Sequence, residues 1–293
     1  MNSKQNSPLE ISLATELFSP LRKSRQLFTY FMNAIAFTFT ALALIPLLSI
    51  LWEIIARGIS GFKLEMFFNS VIDFGFANAI LGTAIIVTIG SLFSIPVGIF
   101  TGIFLAEFGR TQPAAKFVRF IANILTGVPS IVVGIFAYGA IVLITKSFSA
   151  IAGGFALATI MLPVITLTTE EALKLVPTEQ RLASAALGGT RLQTTFRIVI
   201  MAALPGITTG ILLAIARAAG ETAPLLFTAL FSLDWSGGLF SPTASLPVLI
   251  YNLYNDPDPQ KHELVWTTSI VLLALVLCIS IISRLVTRKK KIN

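Results

Sequence analysis

The stretch from Phe74 to Ala106 reads FGFANAILGTAIIVTIGSLFSIPVGIFTGIFLA and holds no Asp, Glu, Lys or Arg. A helix rising about 1.5 Å per residue needs roughly 20 residues to cross the ~30 Å hydrocarbon core of a bilayer, and this run exceeds that length. Residues 26–52, 120–145, 147–169 and 264–283 are likewise free of charge, and a sixth apolar stretch, about 205–232, is interrupted only by Arg217 and Glu221. A segment in lipid must satisfy its own backbone hydrogen bonds, which leaves helices or a closed barrel. The runs show continuous apolarity rather than strand alternation, so the expected class is all-α, a polytopic membrane bundle of six helices. The spans are expected at about 28–56, 75–105, 120–145, 148–168, 205–232 and 264–285, after an N-terminal segment 1–27.

Composition agrees with this reading. Of 293 residues, 55% are hydrophobic and 12% charged, and the mean hydropathy of +0.85 exceeds what a soluble core can hide. The polar segment 1–27 precedes an apolar run too long for a signal-peptide core, so that run reads as a retained span. One His and one Cys leave no material for a metal cluster or a disulfide framework.

Positive loops stay cytoplasmic. Segments 1–27, 106–119, 169–203 and 284–293 carry four, three, four and five Lys or Arg residues, against four on the opposite side. Both termini are therefore expected inside. The net charge of +7 then reflects topology rather than a nucleic-acid surface. The cluster Arg288-Lys289-Lys290-Lys291 is expected to meet anionic headgroups of the membrane lipid. Gly98 with Gly102, and Gly206 with Gly210, have the spacing that lets helices approach closely. Pro46, Pro96, Pro129 and Pro163 each remove a helix donor and invite a kink.

Two segments carry function. The loop of about 170–203 is too polar for the bilayer yet keeps helical periodicity. A helix starting near Pro177 and Glu179 presents Leu182, Ala185, Ala186 and Leu187, Gly188-Gly189 breaks it, and Thr190 with Gln193 forms a capping box for the next helix. Such a helix-elbow-helix suits either a docking surface for a cytoplasmic partner or an amphipathic connector at the lipid surface. The second segment is Ala216-Arg217-Ala218-Ala219-Gly220-Glu221-Thr222-Ala223-Pro224. Counted from Pro205, Arg217 falls roughly 18 Å into the fifth span. A charge at mid-membrane costs at least about 2.5–3.5 kcal/mol, so Arg217 should face protein or water rather than lipid. Glu221 shares its helical face, and Pro224 is expected to kink the helix beside them. The planar guanidinium suits an oxyanion, and it could equally neutralise Glu221.

The run ARAAGETAPL from Ala216 to Leu225, continued by Leu226-Phe227-Thr228-Ala229-Leu230, resembles the fifth-helix signature of the PstA-type permeases of bacterial phosphate ABC importers. Thr168-Thr169-Glu170-Glu171, Val176-Pro177, the Ala-rich approach to Gly188, and Ser245-Leu246-Pro247-Val248 with Ile250-Tyr251 extend the likeness. The resemblance implies a type I ABC importer permease in the bacterial plasma (inner) membrane, with a cytoplasmic coupling helix in its EAA loop. It implies three kinds of partner: a homologous PstC-type permease, a PstB-type ATPase dimer and an extracytoplasmic PstS-type phosphate-binding protein. It places ATPase coupling at Leu182, Ala183, Ser184, Gly188, Gly189 and Thr190, and phosphate passage at Arg217, Glu221 and Thr222. The chain departs from the family pattern at Leu182, where the Glu that names the loop is expected, at Met201, where Pro is expected, and at Leu167, where similar permeases often carry Arg.

The sequence has no G-x-x-x-x-G-K-[ST] loop, so ATP and Mg belong to the partner and this chain is expected to bind no cofactor and to be no enzyme. Sulfate, molybdate or phosphonate are alternative cargoes of the same chemistry. An intramembrane enzyme built on Glu221 lacks a second in-span carboxylate, a His and an activated nucleophile. An autonomous channel or secondary transporter is a further alternative, which transport of phosphate by the chain alone, without ATP or partners, would favour.

Overall fold

The computed structural model describes residues 23–289, with side chains through Leu285. Segment 1–22 and the side chains of the Arg288–Lys291 cluster lie outside the described residues. The chain divides into two units, residues 1–53 and 54–293. The described part of the first is helix α1 (Lys23–Ser60, which runs on into the second), with exposed Phe, Leu and Ile side chains along its length.

The second unit is helical throughout its regular parts, and no strand occurs among the described residues. Its long helices are α2 (Ala77–Phe108, closing in a wide π-turn over Phe104–Phe108), α5 (Ala150–Lys174), α7 (Arg191–Ala219, widened by a π-turn over Thr195–Val199) and α10 (Pro259–Lys289). Between α2 and α5 lie α3 (Pro113–Gly127) and α4 (Ser130–Thr145). The connector helix α6 spans Thr178–Ala186, and short α8 (Ala223–Leu226) and α9 (Leu246–Leu253) follow α7. Five helices are long and apolar enough to span a membrane, six when α3 and α4 count as one broken span.

Two spans differ from their expected form. The third is not one helix over 120–145: α3 starts at Pro113 and meets α4 at an angle of 107°. Pro129 has no N–H and forces extended geometry on Val128 (φ −70°, ψ 130°), and Pro129 itself is extended (ψ 134°), so the helix breaks. The other internal prolines, Pro46, Pro96, Pro163 and Pro205, stay within continuous helices. The fifth span is helical only to Ala219, not to 232. Pro224 therefore does not kink a continuing helix; it sits in the first turn of a new one, four residues long.

Helix α5 is the centre of the bundle: 67% of its apolar window is buried, against 28% in α2 and α7 and 17% in α10. Both glycine pairs face it. A Cβ on Gly102 would lie 2.6 Å from Thr169 Cβ, and one on Gly210 would lie 2.3 Å from Thr168 Oγ1, so α2 and α7 approach neighbouring faces of the same turns of α5. Gly98 against Ile165 and Gly206 against Ala172 extend both contacts. Fully buried Ile86, Leu157, Met161 and Ile165 fill the middle. At the far end, Asn78 donates to the backbone carbonyls of Leu233 and Asp234, and the Thr83 hydroxyl accepts from Leu246 N–H at 2.9 Å. These bonds fold the 231–245 loop back onto the start of α2.

Candidate functional site

Arg217 occupies the last turn of α7, which starts at Arg191 and not at Pro205, so the guanidinium lies roughly 39 Å along that helix at about 1.5 Å per residue. Gly220 N–H bonds the Arg217 carbonyl and Glu221 N–H the Ala218 carbonyl, closing the helix in tight turns. The Thr222 carbonyl accepts from Leu225 and Leu226, which starts α8, and buried Pro224 packs on the bare backbone of Gly134 in α4. Arg217, Glu221, Thr222 and Pro224 thus stand together at a break between helices, supported from behind by α4.

Within the group, Arg217 Nε lies 3.5 Å from Glu221 Oε1, with the Arg side chain 55% exposed and the Glu 16%. Charge-assisted hydrogen bonds run about 2.7–2.9 Å. Four other ion pairs among the described residues reach that range: Arg119–Glu170 and Arg181–Glu107 at 2.7 Å, Lys261–Asp256 at 2.8 Å and Lys174–Glu170 at 2.9 Å. The Arg217–Glu221 contact is longer than any of these. A guanidinium held by a single loose contact retains donors for a passing oxyanion, whereas full neutralisation would bring the carboxylate closer. The C-terminal end of α7 carries partial negative charge, which stabilises Arg217 and opposes a bound anion.

The second group lies at the other end of α7. Helix α6 buries none of its residues, and Leu182 and Leu187 are exposed. Its apolar side is thus uncovered by the other described residues. Leu187, Ala183 and Ser184 line a groove of about 450 Å³ with Gln180, Gly189, Gln193, Arg197 and Ile198. Gly188 adopts φ +79°, the left-handed region open to glycine, and forms the elbow. The expected capping box is present: the Thr190 hydroxyl accepts from Gln193 N–H, and the Gln193 side chain accepts from Thr190 N–H at 3.0 Å. Because nothing stands within 4 Å of a Cβ at Gly188, Gly188→Val strains the backbone without a clash. We expect that variant to lose about 1 kcal/mol or more of elbow stability and to recover several-fold less ATPase on co-purification; unchanged recovery would detach the elbow from docking.

The sequence reading missed the polar ties around these groups. Glu170 is buried and accepts from Arg119 of α3 and from Lys174, at 2.7 and 2.9 Å. Arg119 also donates to the Leu105 carbonyl, so α2, α3 and α5 meet there. Glu107, the first charge after the apolar run of α2, meets Arg181 of α6. Its place at the end of a long apolar stretch was a usable signal, but its partner, far along the chain, was not.

Comparison with known proteins agrees with this architecture. Residues 98–292 match the family described as binding-protein-dependent transport system inner membrane component. The phosphate transport system permease protein PstA of Yersinia pestis is 41% identical over 250 residues, covering 84% of this chain and 85% of that protein. PstA of Haemophilus influenzae is 40% identical over 246 residues, with 83% and 87% covered. PstA 1 of Mycobacterium tuberculosis is 34% identical over 296 residues, with 94% of each covered. Among solved structures, a chain of a bacterial alginate ABC transporter aligns with a TM-score of 0.67 at 13% identity, covering 93% of this chain and 99% of that one. A chain of the MetNI methionine ABC transporter, in an inward-facing conformation, gives 0.59 at 20% identity, with 73% and 94% covered. At these identities the structural likeness establishes the fold, that of an ABC importer permease. The sequence relatives go further: this chain belongs to the binding-protein-dependent transport system inner membrane components and, within them, to the PstA permease family.

Proposed function

We propose that this chain is one half of the translocation pathway of an ATP-driven phosphate importer. The observation that carries the proposal is Arg217, an exposed guanidinium with one loose carboxylate partner at a helix break in an otherwise apolar bundle, in a chain 41% identical to a phosphate permease. A lipid-facing arginine would be costly, so the exposed side chain faces a wet cavity shared with a homologous PstC-type permease. Phosphate arrives from a PstS-type binding protein outside, meets Arg217 beside Glu221 and Thr222, and leaves because the attraction is weak; a tight site would trap it.

Energy enters at the other end of α7. A PstB-type ATPase dimer binds ATP and Mg, and this chain holds neither. The exposed apolar side of α6, with Leu182, Ala183, Ser184, Gly188, Gly189 and Thr190, seats in the ATPase, and nucleotide-driven closure moves the membrane helices between inward-open and outward-open states. The distribution of Lys and Arg supports an orientation in the bacterial plasma membrane with both termini and α6 in the cytoplasm.

Reconstitution into liposomes tests this. Phosphate uptake should require ATP, the ATPase, the second permease and the binding protein together, and excess sulfate or molybdate should not compete. Uptake by this chain alone, without ATP, would refute the proposal, and preferred transport of another oxyanion would change the cargo.

A further inference from the structure

Helix α6 buries no residue of its own, yet it must deliver movement to the bundle. Its attachments are polar and few. From the middle of α6, Arg181 donates to the Glu107 carboxylate at 2.7 Å, to the Leu173 carbonyl at 2.9 Å and to the Val176 carbonyl. Glu107 lies in the π-turn that ends α2, and Leu173 lies at the end of α5. Both side chains of the pair are largely buried, 17% and 11% exposed, so the attraction is screened less than at an open surface. Arg191, the first residue of α7, donates to the Glu107 backbone carbonyl and places its guanidinium 5.0 Å from the centre of the Phe108 ring. Ser184 of α6 and Thr194 of α7 share a hydrogen bond at 2.7 Å. Glu107 is thus where α6, α7 and the end of α2 converge.

We infer that Glu107 is a positioning residue, the tie through which displacement of α6 reaches α2. Arg181 holds α6 to α5 through carbonyls, and the chain itself joins α5 to α6 through Pro177. The direct tie from α6 to α2 has no covalent equivalent of that kind and runs through the Glu107 carboxylate, while Ser184–Thr194 and the Arg191 bond to the Glu107 carbonyl make a longer route by way of α7. Without it, the movement of α6 reaches α2 only indirectly, through α5 and α7. The close glycine packing of α2 on α5 carries part of the same movement, and the Glu107 tie adds a direct pull from α6. The π-turn at Phe104–Phe108 supplies a local widening of α2 at the position where the pull arrives.

The inference rests on the coupling role proposed for α6. It is tested on the complete transporter in liposomes by measuring phosphate imported per ATP hydrolysed, with Glu107→Gln, which keeps the shape, and Glu107→Asp, which keeps the charge. The Gln variant should assemble with the ATPase in normal yield, still hydrolyse ATP, and import at least about fivefold less phosphate per ATP, the lower end of ordinary coupling effects. The Asp variant should retain most of the wild-type ratio. An unchanged ratio in the Gln variant overturns the inference, as does loss of assembly in that variant, which makes Glu107 a folding residue only. Failure of the wild-type chain to bind the ATPase would instead remove the coupling role itself.

Discussion

Arg217→Gln is expected to abolish phosphate uptake while leaving the transporter assembled and its ATPase bound. Gln fills much of the same space but removes the one cation of the site, and Glu221, 3.5 Å from it in the native chain, is then unopposed. A hydrogen bond to a charged group is worth about 1.5–3 kcal/mol, and each ~1.36 kcal/mol is a factor of ten in rate. Lost attraction combined with repulsion from Glu221 therefore puts the fall at roughly 100-fold or more. Arg217→Lys keeps the charge but not the planar fork, and an intermediate loss of about tenfold is expected. Radiolabelled phosphate uptake into proteoliposomes reads both variants against the native chain. Full uptake by Arg217→Gln would make the residue structural.

The second large effect is on stability. Gly210→Leu places its first added carbon 2.3 Å from Thr168 Oγ1 and 2.7 Å from Thr168 Cβ. Real Cβ atoms do not approach so closely, and Thr168 has little room to yield because its hydroxyl already bonds the Val164 carbonyl of the same helix at 2.8 Å. Helix α7 must move away from α5, at about 1–3 kcal/mol for ordinary overpacking and more for a forced separation. Gly102→Leu does the same where α2 meets Thr169 on the neighbouring face of α5, and the double variant should yield almost no monodisperse protein in detergent. Gly127→Ala is the control, since no atom lies within 4 Å of its added carbon. Normal thermal stability of Gly210→Leu would show that α5 and α7 are loosely packed.

The number of apolar spans was legible because lipid demands a charge-free length, which sequence displays directly. Helix geometry was less so. Pro129 breaks its span by 107° while Pro96 and Pro163 sit in unbroken helices, and the residue type alone does not distinguish them. Hydropathy also concealed the end of α7 at Ala219. Pro224 and Phe227 pack on Gly134 of α4, and Leu225 and Ala229 on Gly153 of α5, so this segment is apolar without being a continuous helix; apolarity reports the surroundings of a residue rather than its backbone conformation. The glycine pairs read correctly as close contacts, although their shared partner α5 emerged only in three dimensions. The capping box at Thr190 and Gln193 was legible because it is local, closed within four residues. The ties from Glu107 to Arg181 and from Glu170 to Arg119 were not, because each joins positions far apart in the chain. At the candidate site, residue types and spacing gave the Arg217–Glu221 pair, but its looseness, which supports the anion reading, is a matter of distance.

All of this depends on water reaching Arg217. The direct measurement replaces Arg217 with Cys in a Cys278→Ser background, which removes the chain's only native cysteine, and assembles the full transporter in lipid nanodiscs, where both faces are open to solvent. A charged, membrane-impermeant thiol reagent is then applied with and without nucleotide, with exposed Phe240→Cys as the positive control. The account predicts modification of the Cys at 217 in at least one nucleotide state, at rates that change with nucleotide. No modification in any state, with the control fully labelled, would contradict it.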